Sequence, residues 1–161
     1  MKKDLVSIAD FTRREICGFF ALAADLKKKQ KQGVAHHLLE GKTLAMIFEK
    51  PSLRTRVTFE TGMTQMGGHA IYLAPADIQL GARESIPDVA RNLERWVDVI
   101  MARTFRHESV AQLAGHARIP VINALSDYSH PCQALADFQT LREALGDLKS
   151  VRLAYVGDGN N

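Results

Sequence analysis

Cysteine is scarce: the chain of 161 residues has only Cys17 and Cys132. They stand far apart and in no C-x-x-C pair, so neither a disulfide framework nor a thiolate zinc site is encoded. The six histidines show no ligand spacing either. Long hydrophobic runs are missing too. No apolar stretch approaches the roughly 20 residues a bilayer-spanning helix requires, and Met1-Lys2-Lys3-Asp4 leads into no signal-peptide core. A soluble, cytoplasmic protein with no membrane partner is expected. Aromatic residues are only 7% of the chain and the net charge is a mild +3. The densest basic run, Lys27-Lys28-Lys29-Gln30-Lys31, falls at the end of a helix-patterned segment, where cations complement the helix dipole. Without aromatic interleaving or a recognised module, nucleic acid is not an expected partner. What remains is ordinary globular composition, 46% apolar and 24% charged, in a chain long enough for one well-packed core.

The pattern opens with a helix over about Thr12 to Gln32. Thr12 and Glu15 form a capping box, and Ile16, Phe19, Phe20, Ala23 and Leu26 recur at helical spacing, with Cys17 expected among them in the core. The helix stops at Gly33. Apolar, strand-like runs then alternate with polar turns and helices. The predicted strands are Thr43 to Phe48, His69 to Leu73, Val97 to Ala102, Pro120 to Ala124 and Val151 to Val156. Helices begin near Ser52, Ser85, Glu108 and Pro131, with Ser85 and Asp88 resembling a capping box. Continuous apolar strands between helices imply an α/β fold, a parallel sheet with helices on both faces. In such sheets ligands gather beyond the carboxyl ends of the strands, at a topological switch point.

The turns at those ends are rich in hydrogen-bonding side chains, whereas the helix-to-strand connections, such as Gly67-Gly68 and Arg118-Ile119, are chemically plain. The turn Ser52-Leu53-Arg54-Thr55-Arg56 joins a strand to a helix start, where unpaired backbone N–H groups and the dipole favour an anion. A serine cap and arginines could mark no more than a solvated helix start. Arginines at the positive end of a dipole, however, cost stability unless an anion lies between them. The glycine spacing of a P-loop is absent, so a compact oxyanion, a small acyl phosphate or phosphate monoester, suits the turn better than a nucleoside triphosphate. Arg56 can pair with Glu60 at i,i+4, an option Arg54 lacks. His130, ahead of Pro131, and Gln133 one turn later are expected to face the same mouth. Cys132 is not expected to act as a nucleophile with His130, because neighbouring helical residues point apart. The loop from Pro75 to Arg83 has few apolar anchors and is expected to extend away from the core. After the fifth strand, Gly157-Asp158-Gly159-Asn160-Asn161 hints weakly at a dinucleotide turn, and a strand and turn with no helix after them suggest a fragment of a longer protein.

Taken together, Phe48 to Arg56, Gln79 to Ser85, Met101-Ala102-Arg103, Leu125 to Gln133 with Ala136-Asp137 behind it, and Gly157 to Asn161 resemble the aspartate/ornithine carbamoyltransferase family. Lys50-Pro51 and Gly-Asp-Gly-Asn-Asn resemble its ornithine branch. Leu53 stands where that family usually has threonine. The resemblance implies a carbamoyl phosphate domain over residues 1–148, with a sheet of about four parallel strands. Residues 149–161 would then be the leading strand of a truncated, ornithine-binding α/β domain.

By the same resemblance, Ser52, Leu53 (through its backbone), Arg54 and Thr55 bind phosphate. Arg103 spans the phosphate and carbonyl oxygens, while His130 and Gln133 hold the carbamoyl group. Arg54, Arg103 and His130 would be the catalytic residues. Gln79 would reach a neighbouring subunit's site in a homotrimer or a multiple of trimers, and Asn161 would contact ornithine. The implied reaction is direct transfer of the carbamoyl group from carbamoyl phosphate to the side-chain amine of L-ornithine, giving L-citrulline and phosphate. It needs no metal or organic cofactor. Aspartate or another amine as acceptor, a non-catalytic binding or assembly module, and more distantly a dinucleotide-dependent oxidoreductase are the other readings of the residues.

Overall fold

The computed structural model describes residues 3–158. Its first long element, α1 (Arg13–Lys31), begins at Thr12, whose side chain accepts from the Glu15 N–H while the Glu15 carboxylate accepts from the Thr12 N–H at 2.8 Å. Gly33, at φ 68°, takes the left-handed conformation that ends the helix cheaply. Strands and helices then alternate: β1 (Thr43–Phe48), α2 (Leu53–Gln65), β2 (His69–Leu73), α3 (Pro75–Ile78), α4 (Ile86–Leu93), β3 (Val99–Arg103), α5 (His107–His116), β4 (Val121–Leu125) and α6 (Pro131–Leu145). The observed β3 and β4 lie slightly later in the chain than the predicted strands.

All strand pairs are parallel, in the order β2-β1-β3-β4. Side chains alternate across the sheet, and each face has its own core. Leu44, Met46, Phe48 and Met101 pack with Met63 and Phe59 of α2. Ala45, Ile47, Ile100 and Ala102 pack with Val89 of α4 and Leu113 of α5. The chain therefore leaves β1 towards one face and β3 towards the other, so the crevice between their carboxyl ends is the switch point. Gly68 lets β2 start tightly, because a Cβ there would meet the Leu39 and Lys42 carbonyl oxygens at 3.0 Å. At the amino ends, the Asp98 carboxylate accepts from the Thr43 N–H at 2.9 Å and from Lys42 Nζ at 2.8 Å, pinning β1 beside β3.

Three expectations are corrected. Residues 151–156 form no strand: they pair with no neighbour, and Val156 is 95% exposed. A strand exists only through hydrogen bonds to another, and the outer edge of β4 is taken by Leu5, whose N–H donates to the Val121 carbonyl while its carbonyl accepts from Asn123. Cys17 is exposed rather than in the core, because α1 has no buried residue and meets α6 only along its flank, through Lys27–Glu143 and Arg142 over the Phe20 ring. The segment from Pro75 does not extend away. It forms α3 and a turn closed by the Gly81 N–H on the Glu84 carbonyl, with Ile78 and Leu80 packed on the core.

Candidate anion site at the sheet's switch point

Glu49 leaves β1 with its N–H donating to the Arg103 carbonyl at 2.9 Å, and its carboxylate accepts from the Phe105 N–H at 2.6 Å. This brace, which the sequence reading missed, holds the turns after β1 and β3 side by side. Ser52 then caps α2: its Oγ accepts from the Thr55 N–H at 3.4 Å and donates to Thr55 Oγ1 at 3.0 Å. Thr55 Oγ1 also accepts from Arg103 at 3.4 Å, joining the two turns through their side chains. Leu53 and Arg54 occupy the first helical positions, where backbone N–H groups have no partner within the helix. The Leu53 side chain is 79% exposed, so its backbone is the part available to a ligand.

Three cationic or potentially cationic groups converge here. Burial first, and the Arg54 charge second, push the Arg103 guanidinium below its ordinary value. Its Nε is buried with no hydrogen-bond partner among the described residues, an exception to the pairing that buried donors usually find. His130 is pushed down by burial first and by Arg103 second, against the opposing pull of Asp137. Arg56 is not part of this group. Its Nε bonds Glu60 at 2.9 Å and its guanidinium lies over the Tyr72 ring.

His130 caps α6, its Nδ1 accepting from the Gln133 N–H at 3.3 Å. That bond requires Nδ1 to be unprotonated, so the neutral ring carries its proton on Nε2 and can donate from there. Gln133 Nε2 donates to Asp137 at 2.9 Å. His130, Gln133 and Asp137 line a cleft of about 470 Å³ together with Ser7 and Tyr155. The turn that carries His130 is set by Asn123, fully buried, whose Nδ2 reaches the Val6 carbonyl at 3.1 Å and the Ser129 carbonyl at 3.3 Å and whose Oδ1 accepts from the Leu125 N–H. Burial pushes the Cys132 thiol up to about 11, and its Sγ faces the Asn123 carbonyl at 3.5 Å. Gln79 is not gathered with these residues. It lies, exposed and at φ 41°, in a separate shallow cleft with Glu49 and Phe105. Asn161 and Gly159 lie outside the described residues. Among the described residues, no group of three His, Cys, Asp or Glu side chains could hold a metal ion.

Such a fold and site define a class: a doubly wound α/β domain with a serine-capped helix start and two arginines, Arg54 and Arg103, at its switch point. Residues 3–143 match the family described as aspartate/ornithine carbamoyltransferase, carbamoyl-P binding domain, and the chain belongs to that family. It is 56% identical over 159 residues to an ornithine carbamoyltransferase of Anoxybacillus flavithermus, covering 99% of this chain and 51% of that protein. Against the anabolic ornithine carbamoyltransferase of Pyrococcus furiosus the identity is 55%, with coverage of 99% and 50%. The solved structure of a Pyrococcus furiosus ornithine carbamoyltransferase superposes with a TM-score of 0.97, covering 99% of this chain and 51% of that one at 55% identity. The Thermus thermophilus enzyme gives 0.90 at 48% identity, with coverage of 100% and 55%. The chain thus spans about half the length of the curated relatives it matches.

Proposed function

We propose that this chain binds carbamoyl phosphate and forms the donor half of an ornithine carbamoyltransferase. The observation that carries the reading is the join of Arg103 to Thr55 beneath the start of α2, with Arg103 Nε buried and unpartnered. Residues 1–148 are the carbamoyl phosphate domain in this reading, and 149–161 lead into the part that holds the acceptor, where Asn161 would contact ornithine. The ornithine acceptor, rather than aspartate, is supported by Lys50-Pro51 and by the names of the relatives.

In the reaction, the neutral side-chain amine of ornithine attacks the carbamoyl carbon. A C–N bond forms, the C–O bond to phosphorus breaks, phosphate departs with the electron pair, and the nitrogen sheds a proton to water. Negative charge grows first on the carbonyl oxygen and then on the leaving phosphate, so donors fixed in advance are the main catalytic resource. Ser52, Thr55, Arg54 and the N–H groups of Leu53 and Arg54 would hold the phosphate. Arg103 would span phosphate and carbonyl oxygen, and His130 would donate from Nε2 to the carbonyl. Losing one such donor costs on the order of 100-fold to 1,000-fold in rate.

A homotrimer, or a multiple of it, completes the site in this reading, with Gln79 reaching the neighbouring subunit. Ile78 and Leu80 anchor the segment on both sides of it and leave Gln79 outward. The setting would be the cytoplasm, in an arginine-biosynthetic or urea-cycle-type step. Calorimetric titration with carbamoyl phosphate tests the reading. Arg54→Ala should weaken binding at least tenfold, about 1.4 kcal/mol, while Arg56→Ala, whose guanidinium is already committed to Glu60, should change it by less than threefold. Equal losses would sink the assignment.

A further inference from the structure

Residue 133 is tied at both ends. Its backbone N–H donates to His130 Nδ1, and its side-chain Nε2 donates to Asp137 Oδ1 at 2.9 Å. A carboxylate is acceptor-only, so the atom of the Gln133 amide that faces it has to be the nitrogen. The amide oxygen is left on the other side, and no hydrogen bond among the described residues occupies it. Gln133, Asp137 and His130 line one cleft, so the amide and the ring proposed to hold the ligand's carbonyl share one opening.

An exposed Gln–Asp pair at i,i+4 is by itself a small helix-stabilising contact. This one stands where a carboxylate is a liability, because its charge is felt at His130, which in turn feels Arg103. A negative charge beside an anion site weakens the site unless it performs another task there. We propose that Asp137 is a positioning residue that locks the Gln133 amide with its oxygen towards the ligand, so that the site selects an acyl phosphate carrying an N–H donor, an –NH2, over one carrying a methyl group of similar size.

The inference rests on the reading of this site as one for carbamoyl phosphate. A methyl in the place of –NH2 offers the Gln133 oxygen no donor, so one hydrogen bond to the ligand is lost. Without Asp137 the amide is free to turn and present its nitrogen, and the discrimination fades.

The test compares carbamoyl phosphate, acetyl phosphate and inorganic phosphate by calorimetry on the chain, on Asp137→Ala and on Asp137→Glu. The unaltered chain is expected to prefer carbamoyl over acetyl phosphate by about tenfold, the size of one hydrogen bond. Asp137→Ala should bring that ratio below about threefold, with inorganic phosphate bound no more weakly than before, since a repelling charge has been removed. Asp137→Glu, still able to accept from Gln133, should restore the preference. An unchanged ratio in Asp137→Ala overturns the inference while leaving the carbamoyl phosphate reading intact. Failure of the unaltered chain to bind carbamoyl phosphate at all overturns that reading first.

Discussion

His130 does two jobs with one ring. As the cap of α6 its Nδ1 accepts a backbone N–H, and as a group near Arg103 it is held in the neutral form. Protonation would place a hydrogen on Nδ1 and break the cap, so neutrality serves both stability and the proposed donation from Nε2. The sign follows from burial and Arg103. A folded-state value below the ordinary 6.5 means that the ring's contribution to stability is present above 6.5 and is lost as the pH falls from there through the lowered value. An NMR titration of the ring should give a midpoint below 6.5, and removing the Arg103 charge should move it up. A midpoint at or above the ordinary value would contradict the environment described. That the arginine turn and His130 stand at helix starts was legible in the sequence, because helix starts and strand ends follow local rules. The sequence did not reveal Glu49 or Asn123 as organisers, because their partners at Phe105, Val6 and Ser129 become neighbours only when the chain is folded.

Among the elements, β1 and β2 were legible to the residue, since turn residues and a change of hydrophobic period bound them on both sides. The predicted strand over 151–156 was wrong for a reason no local pattern contains: apolar alternation supplies a strand's side chains but not its hydrogen-bonding neighbour. The exposed helix α1 teaches the same lesson, because amphipathic spacing was read as burial and placed Cys17 inside. Sheet register likewise has a determinant in Asp98 that only the folded chain brings to its partners, and its carboxylate is held below its usual value by Lys42 first and the Thr43 N–H second. Asp98→Asn should cost about 1 kcal/mol at neutral pH, the scale of one charge-assisted hydrogen bond that is partly exposed. The native carboxylate's advantage is present above the unfolded-state value near 3.8 and is lost as the pH falls through its lowered folded value. Urea unfolding of both proteins at neutral and acid pH should therefore show the gap closing in acid, and a gap independent of pH would show that the charge is not what matters.

For the whole molecule, the donor site and the acceptor site are proposed to lie on different parts of the relatives' length. The groups this chain would contribute to carbamoyl phosphate binding lie at the starts of α2 and α6 and the end of β3, whereas by family resemblance those that fix the acceptor amine lie in the portion these residues do not match. Positioning of two reactants supplies roughly 7 to 11 kcal/mol of a barrier. These 161 residues expressed alone should therefore bind carbamoyl phosphate and yet give no citrulline above background when ornithine is added. A colorimetric citrulline assay, with a relative of full length as the control, would detect turnover. Robust citrulline formation would place the acceptor site within this chain and overturn the division proposed.

The segment along the outer edge of β4 has a temporal consequence. Asp4, Leu5 and Val6 take their partners from Val121 and Asn123, across 117 residues in the case of the Asp4 carboxylate. A ribosome adds roughly 5 to 20 residues per second, so this stretch waits about 6 to 23 seconds for its docking edge to be made. Made well before the edge it docks on, it cannot find its place until β4 is complete, and until then Asn123 has no Val6 carbonyl to meet and the His130 turn lacks that support.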